Sequence, residues 1–249
     1  MINSVRNTVL SVLNKNNYGY ISPADFNLLA KQAQHSIFVN MLNEYNAVVT
    51  KENIRRSGTG YANAKWNIEL NIEDFLVTGK ALSNVSGNVY YMPSLSTTGD
   101  MAFNVSKVLC YRVIGEEKVF LGEADKISNS KVSLLNRSTI VSPSEQYPVF
   151  AVASNKVTIY PSSISGAGAV EMDYIRMPKD PKWTYLTIGN GEPVFDQSQS
   201  DYQDFEIGAE YEDKLVLEIL ALAGVEIREI TVAQYSKSEL SKDNQQAQQ

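Results

Sequence analysis

The alternation of apolar and polar positions divides this chain into helical ends and a strand-rich middle. Ile2, Val5, Val9 and Val12 recur at helical spacing, with Leu10 and Leu13 beside them. They predict a first short helix over Ile2–Leu13, ended by Asn14 to Asn17, so that the chain opens as a helix hairpin. The stretch Asn16–Tyr45 then carries the sharpest start signal in the sequence. Ser22 is placed to cap free backbone N–H groups, Pro23 suits the first helical position, and Asp25 favours the positive end of the helix dipole. A second helix is predicted over Pro23–Tyr45. Phe26, Leu29, Ala30, Ala33 and Ile37 form one stripe on it. Leu28, His35 and Leu42 recur at heptad spacing on nearly the opposite side, with Phe38 close to them. Two apolar faces call for a second packing surface, either another layer of the same chain or a neighbouring subunit.

Lys51 to Asn63 brings Lys51, Arg55 and Arg56 together with Gly58 and Gly60. It lacks the Gly-Lys-Ser/Thr ending of a phosphate-binding loop, and no strand precedes it. It reads as a solvated loop, with a channel-facing or partner-facing role for the three cations as the sharper hypothesis. Trp66–Phe75 fits helix and strand alike.

From Val77 the period becomes two. Val89–Met92, Phe103–Ile114, Lys118–Leu121, Pro148–Val152, Lys156–Pro161 and Ala169–Arg176 read as strands, with turns at Gly115–Glu117, Asn155 and Gly166–Gly168. Val170, Met172 and Tyr174 share one face of the last of these. Glu123–Leu135 ends in a short helical stretch. Gly189–Gln203 is polar and reads as an exposed connection. Glu206, Glu210, Glu212 and Asp213 then crowd the start of a last helix, Gly208–Ala223, that is apolar almost all round and requires burial on nearly every side.

The predicted class is α+β: an N-terminal helix hairpin and a C-terminal buried helix forming a helical part, with a compact antiparallel β region inserted between them. The expected divisions are 1–76, helical; 77–188, antiparallel β; 189–204, exposed connection; 205–229, a C-terminal helix packing with the N-terminal helices; and 230–249, a flexible partner-docking tail. Leu28, His35, Phe38, Leu42, Leu215, Ile219 and Leu222 are the candidate subunit-interface residues.

Composition narrows the function classes. The 249 residues are 43% hydrophobic and 20% charged, ordinary for a soluble globular protein. The net charge of −6 disfavours tight sequence-independent nucleic-acid binding, and does not exclude a mostly acidic channel through which DNA slides without sticking. Cys110 is the single cysteine, so no internal disulfide forms, and its apolar neighbours Val108, Leu109 and Tyr111 mark it as a small buried hydrophobe. The N-terminus shows no basic region followed by an apolar core, and no apolar run approaches the ~20 residues of a membrane span. His35 is the only imidazole and sits mid-helix among leucines, where a packed or interface histidine is expected rather than a catalytic one. No catalytic, cofactor or metal constellation is expected, and no small-molecule substrate.

Three stretches resemble structural proteins of crAss-like, Bacteroides-infecting tailed bacteriophages: NNYGYISPADFNLLAKQAQ; PVFAVASNKVTIYP with VEMDYIRMPKDPKW; and KLVLEILALAGVEIRE with its Gln-rich tail. The order of helix pair, β region and near-C-terminal helix is similar to that of head-to-tail connector proteins, the ring-forming adaptors of the phage neck. The resemblance implies a virion protein, assembled in the host cytoplasm, that forms a homo-oligomeric ring, a dodecamer following portal symmetry. It implies the portal and an adjacent tail ring or hub as partners, and genomic DNA passing non-specifically through the channel. A tail-hub or fibre-attachment protein is the alternative.

Overall fold

A computed structural model describes residues 1–15, 20–53, 66, 69–115, 117–189, 191–226 and 238. In chain order it has α1 (Ile2–Lys15) and α2 (Pro23–Asn53), then β1 (Leu76–Ala81), β2 (Asn84–Ser86), β3 (Val89–Tyr91), β4 (Ala102–Ile114), β5 (Glu117–Glu123) and β6 (Asp125–Lys126). Next come α3 (Asn129–Arg137), β7 (Val149–Ala153), β8 (Lys156–Tyr160) and β9 (Val170–Arg176). β10 (Tyr185–Thr187), β11 (Pro193–Phe195), a 3₁₀ turn (Ala209–Tyr211) and α4 (Glu212–Glu226) complete the α+β fold. The chain forms two units: Met1–Ile72 with Pro178–Gln249, and Glu73–Met177. The second unit is thus narrower than the expected 77–188 at its end, because β10 and β11 belong to the first.

In the first unit, Ser22 caps α2 as its sequence predicts. The Asp25 backbone N–H donates to Ser22 Oγ at 3.2 Å, and that hydroxyl donates to the Asp25 carboxylate. The helix passes the expected end at Tyr45 because no Gly or Pro interrupts it before Asn53. Its buried residues are Phe26, Leu29, Ala30, Ala33, Gln34, Ile37, Phe38, Met41 and Leu42. Steps of three and four residues drift slowly around a helix, so these make one broad stripe, and Phe38 and Leu42 join it instead of forming a second face. α4 packs against both α1 and α2, burying Leu215, Ile219, Leu220, Ala221 and Ala223. The expected packing of the second and last helices is present. α4 thus lies against both helices of the expected N-terminal pair.

Polar anchors fix this packing. Gln34, 2% exposed, donates from Nε2 to the Lys179 carbonyl at 2.7 Å and accepts from the Glu206 N–H at 3.0 Å. Trp183 is buried among both N-terminal helices. Its indole N–H donates to Asn3 Oδ1 at 3.0 Å, and its backbone N–H donates to Asn27 Oδ1 at 2.8 Å. The buried Arg6 guanidinium lies 3.9 Å from the centre of the indole ring, and Tyr185 and Phe195 stack near it. Residues 189–204 are therefore more than an exposed connection: they hold β11, and Gln203 exchanges backbone hydrogen bonds with Lys182. Asp204 closes the unit. Its carboxylate accepts from the Met1 ammonium at 3.0 Å, the Ile2 N–H at 2.7 Å and the Phe205 N–H at 2.8 Å. Burial alone would raise its pKa, but these donors together hold it below the usual carboxylate value.

The second unit is a β-sandwich. One sheet runs β1-β9-β4-β5, all antiparallel; the other runs β2-β3-β8-β7-β6, with β6 and β7 parallel. Val108, Cys110, Val170, Met172 and Tyr174 from the first sheet meet Tyr90, Phe150, Val157 and Ile159 from the second in one hydrophobic core. The face shared by Val170, Met172 and Tyr174 is the inner one, as their alternation predicts. Ser154 and Asn155, at φ of 50° and 60°, make the two-residue turn between β7 and β8, where positive φ follows the strand twist. Cys110 is fully buried, and burial pushes its thiol up to about 12.

Candidate interaction surface

The sandwich edge is where apolar side chains leave the core. β4 pairs with β9 only as far as Cys110↔Val170, and its outer end, to Ile114, continues in pairing with β5 alone. Gly115, at φ +64°, turns this two-stranded ribbon back on itself. Successive strand residues point to opposite sides. Tyr111, Phe120 and Val113 therefore occupy one side, and Val119 and Ile114 the other. Ile114 is 60% exposed and Phe120 56%. Tyr111 meets Phe120 edge-on at 5.6 Å, and Lys118 Nζ pairs with Glu171 at 2.7 Å, so the ribbon is braced at its root. A two-stranded ribbon is marginal in water, and one apolar on both sides is a surface suited to burial by a partner.

A second uncovered stretch lies between β6 and β7. The chain leaves the sheet at Lys126 and returns at Val149, and not one residue of 127–147 is buried. Leu134, Ile140, Val141 and Tyr147 are all largely exposed. A hollow between the ribbon and Ser163–Ser165 is lined by Arg112, but Glu145 already holds that guanidinium in an ion pair. Among the described residues, no three His, Cys, Asp or Glu side chains gather as metal ligands, and no helix is long and apolar enough to cross a membrane.

The candidate interface residues separate on inspection. Phe38, Leu42, Leu215 and Ile219 are buried inside their own unit, and Leu222 is half-buried. Their apolar character is accounted for by packing within the chain. Leu28 and His35 stand exposed on α2. His35 is thus not a packed histidine in the chain alone. Lys51 lies in the last turn of α2 and not in a loop. Arg55, Arg56 and the expected tail docking segment from residue 230, apart from Ser238, lie outside the described residues. The strands and turn of the ribbon are those the sequence predicts; sequence reasoning missed the exposure of its apolar side chains, and the arm. Their signal was present as adjacent apolar pairs, Val113-Ile114, Val119-Phe120 and Ile140-Val141, which place one member on each side of a strand or in a loop.

No protein-family model matches the chain, and no curated protein matches it.

Proposed function

We propose that this chain is a structural virion protein of a tailed phage, a subunit of a neck or tail ring that joins the portal to the tail and surrounds the path of the genome. The observation that carries the reading is the exposed apolar surface of the second unit on ribbon and arm, which stands outside that unit's core. Soluble monomers seldom keep such surface, whereas ring subunits bury it against unlike patches on their neighbours. The phage-like stretches of the sequence and the net charge of −6, favourable for DNA passing without adhesion, support the same reading. Leu28 and His35 are the remaining accessible members of the proposed subunit contact on α2. Lys51, Arg55 and Arg56 are assigned to the channel or to a partner.

The test is the mass of the purified protein in solution, alone and mixed with the portal protein of its phage. A closed ring, formed alone or only on the portal, is the expected outcome. A monomer or trimer indifferent to the portal refutes it and favours the tail-hub or fibre-attachment reading.

A further inference from the structure

We infer that residues 127–147 are an arm by which one copy of this chain grips the next, with the acidic start of α4 on the neighbouring copy as its counter-surface. This inference rests on the ring reading above and specifies its contact.

The arm is well tethered yet uncovered. The Ile127 N–H donates to the Phe150 carbonyl at 2.9 Å, Asn129 Nδ2 donates to the Val152 carbonyl at 2.7 Å, and Arg112 pairs with Glu145. Between these ties α3 buries no residue at all. A nine-residue helix is too short to be stable in water on its own propensity and ordinarily depends on a packed apolar face. Here Leu134 is 74% exposed, and Ile140, just beyond the helix, is 92% exposed. A surface that supplies the missing apolar contact would stabilise the arm in the shape it already holds.

Charge identifies that surface. Lys131 and Arg137 flank Leu134 and form no ion pair among the described residues, while the arm's one acid, Glu145, is taken by Arg112. The arm therefore presents net positive charge on a chain whose total is −6. The same chain carries the complementary patch. Glu210 and Asp213 are exposed, without a cation partner among the described residues. Part of this acidity serves the α4 dipole, but its exposed portion remains available to a cationic partner. Two unlike patches on one chain make a heterologous contact, which closes into a ring when the rotation permits.

The experiment uses the full chain under conditions in which the wild type forms rings, alone or on the portal. Lys131→Glu with Arg137→Glu should weaken assembly about ten-fold or more, since attraction becomes repulsion at both positions. Adding Glu210→Lys and Asp213→Lys to the same chain should return assembly to within about three-fold of wild type. Circular dichroism should stay unchanged, because none of the four residues is buried; the denaturation midpoint should stay unchanged in the arm variant and fall only slightly in the swapped chain, where lysines replace acids that favour the α4 dipole. A wild-type ring indifferent to the arm reversal overturns this inference and leaves the ring reading intact. So does failure of the charge swap to restore assembly, or loss of portal binding with rings retained, which would give the arm to the portal. A wild type that stays monomeric with and without portal overturns both.

Discussion

Replacing Trp183 by Phe tests whether the first unit is locked by one side chain that serves α1, α2 and the β10–β11 hairpin together. Phe keeps an aromatic ring but removes the indole N–H that Asn3 accepts at 3.0 Å, a loss of about 1 kcal/mol. The smaller ring opens a cavity of roughly 40 Å³, worth about 1 kcal/mol at the usual cost per cavity volume. It also weakens the attraction to the Arg6 guanidinium, now 3.9 Å from the ring centre, by about 0.5–1 kcal/mol. The expected destabilisation is about 2–3 kcal/mol, read by urea unfolding followed by far-ultraviolet circular dichroism. Asn3→Ala should cost about 1–2 kcal/mol, because the buried indole N–H then lacks a partner. Its unfolding can be followed by Trp183 fluorescence in a Trp66→Phe background, since the chain has only these two tryptophans. The double variant should recover about 1 kcal/mol relative to the sum of the singles. A Trp183→Phe protein within about 0.5 kcal/mol of wild type, or strictly additive singles, would refute the claim that this hydrogen bond and ring contact hold α1 in place.

Other perturbations bear on separate parts of the molecule. Asp204→Ala should cost about 1–2 kcal/mol by removing the acceptor at the start of α1. Because its folded carboxyl lies below the usual value, that contribution is present above about pH 4 and fades as pH falls through the folded pKa, so wild type and variant should converge in acid unfolding titrations. Leu215→Ala, at a fully buried site between α4 and its neighbours, should lower unfolding free energy by about 3–5 kcal/mol. Ile114→Ser with Val119→Ser should leave the unfolding midpoint of the isolated chain nearly unchanged while reducing binding of a hydrophobic dye and impairing assembly. Cys110 should resist thiol reagents at pH 8 until denaturant is added, because it is buried and its thiol is pushed up to about 12.

The legible parts of this fold are those where local chemistry and tertiary packing agree. Ser22, Pro23 and Asp25 specify the start of α2 without help from elsewhere, and the alternation of Val170, Met172 and Tyr174 is the inner face of β9. Phe38 and Leu42 were harder to place, because a helical wheel drawn from an ideal period separates residues that a drifting stripe unites. His35 appeared enclosed by its sequence neighbours, yet sequence neighbours on a helix point in different directions, and the imidazole lies outside the stripe. The boundary near residue 188 rests on the polar stretch Gly189–Gln203 that follows it. The β10–β11 hairpin falls in the first unit, where Tyr185 and Phe195 stack by the buried Trp183, a contact that periodicity does not encode. The exposure of the apolar side chains on ribbon and arm escapes any rule that assigns hydrophobic residues to a core, although the ribbon's strands and turn follow from the sequence.

The first unit is built from segments on either side of the sandwich, and this has a consequence during synthesis. α1 and α2 are made before the sandwich, but α4, against which both pack, is made after it. The β-sandwich, in contrast, is complete once β9 has emerged, and its first and last strands pair with each other at Leu76↔Ile175, so it closes without waiting for later sequence. The two N-terminal helices must therefore spend the translation of the whole sandwich with their apolar stripe unmet. Once the sandwich has folded, its paired entry and exit strands shorten the effective loop between α2 and α4, and the entropy lost in bringing the three helices together falls accordingly. The order of manufacture makes the inserted unit a folding aid for the unit that surrounds it in sequence.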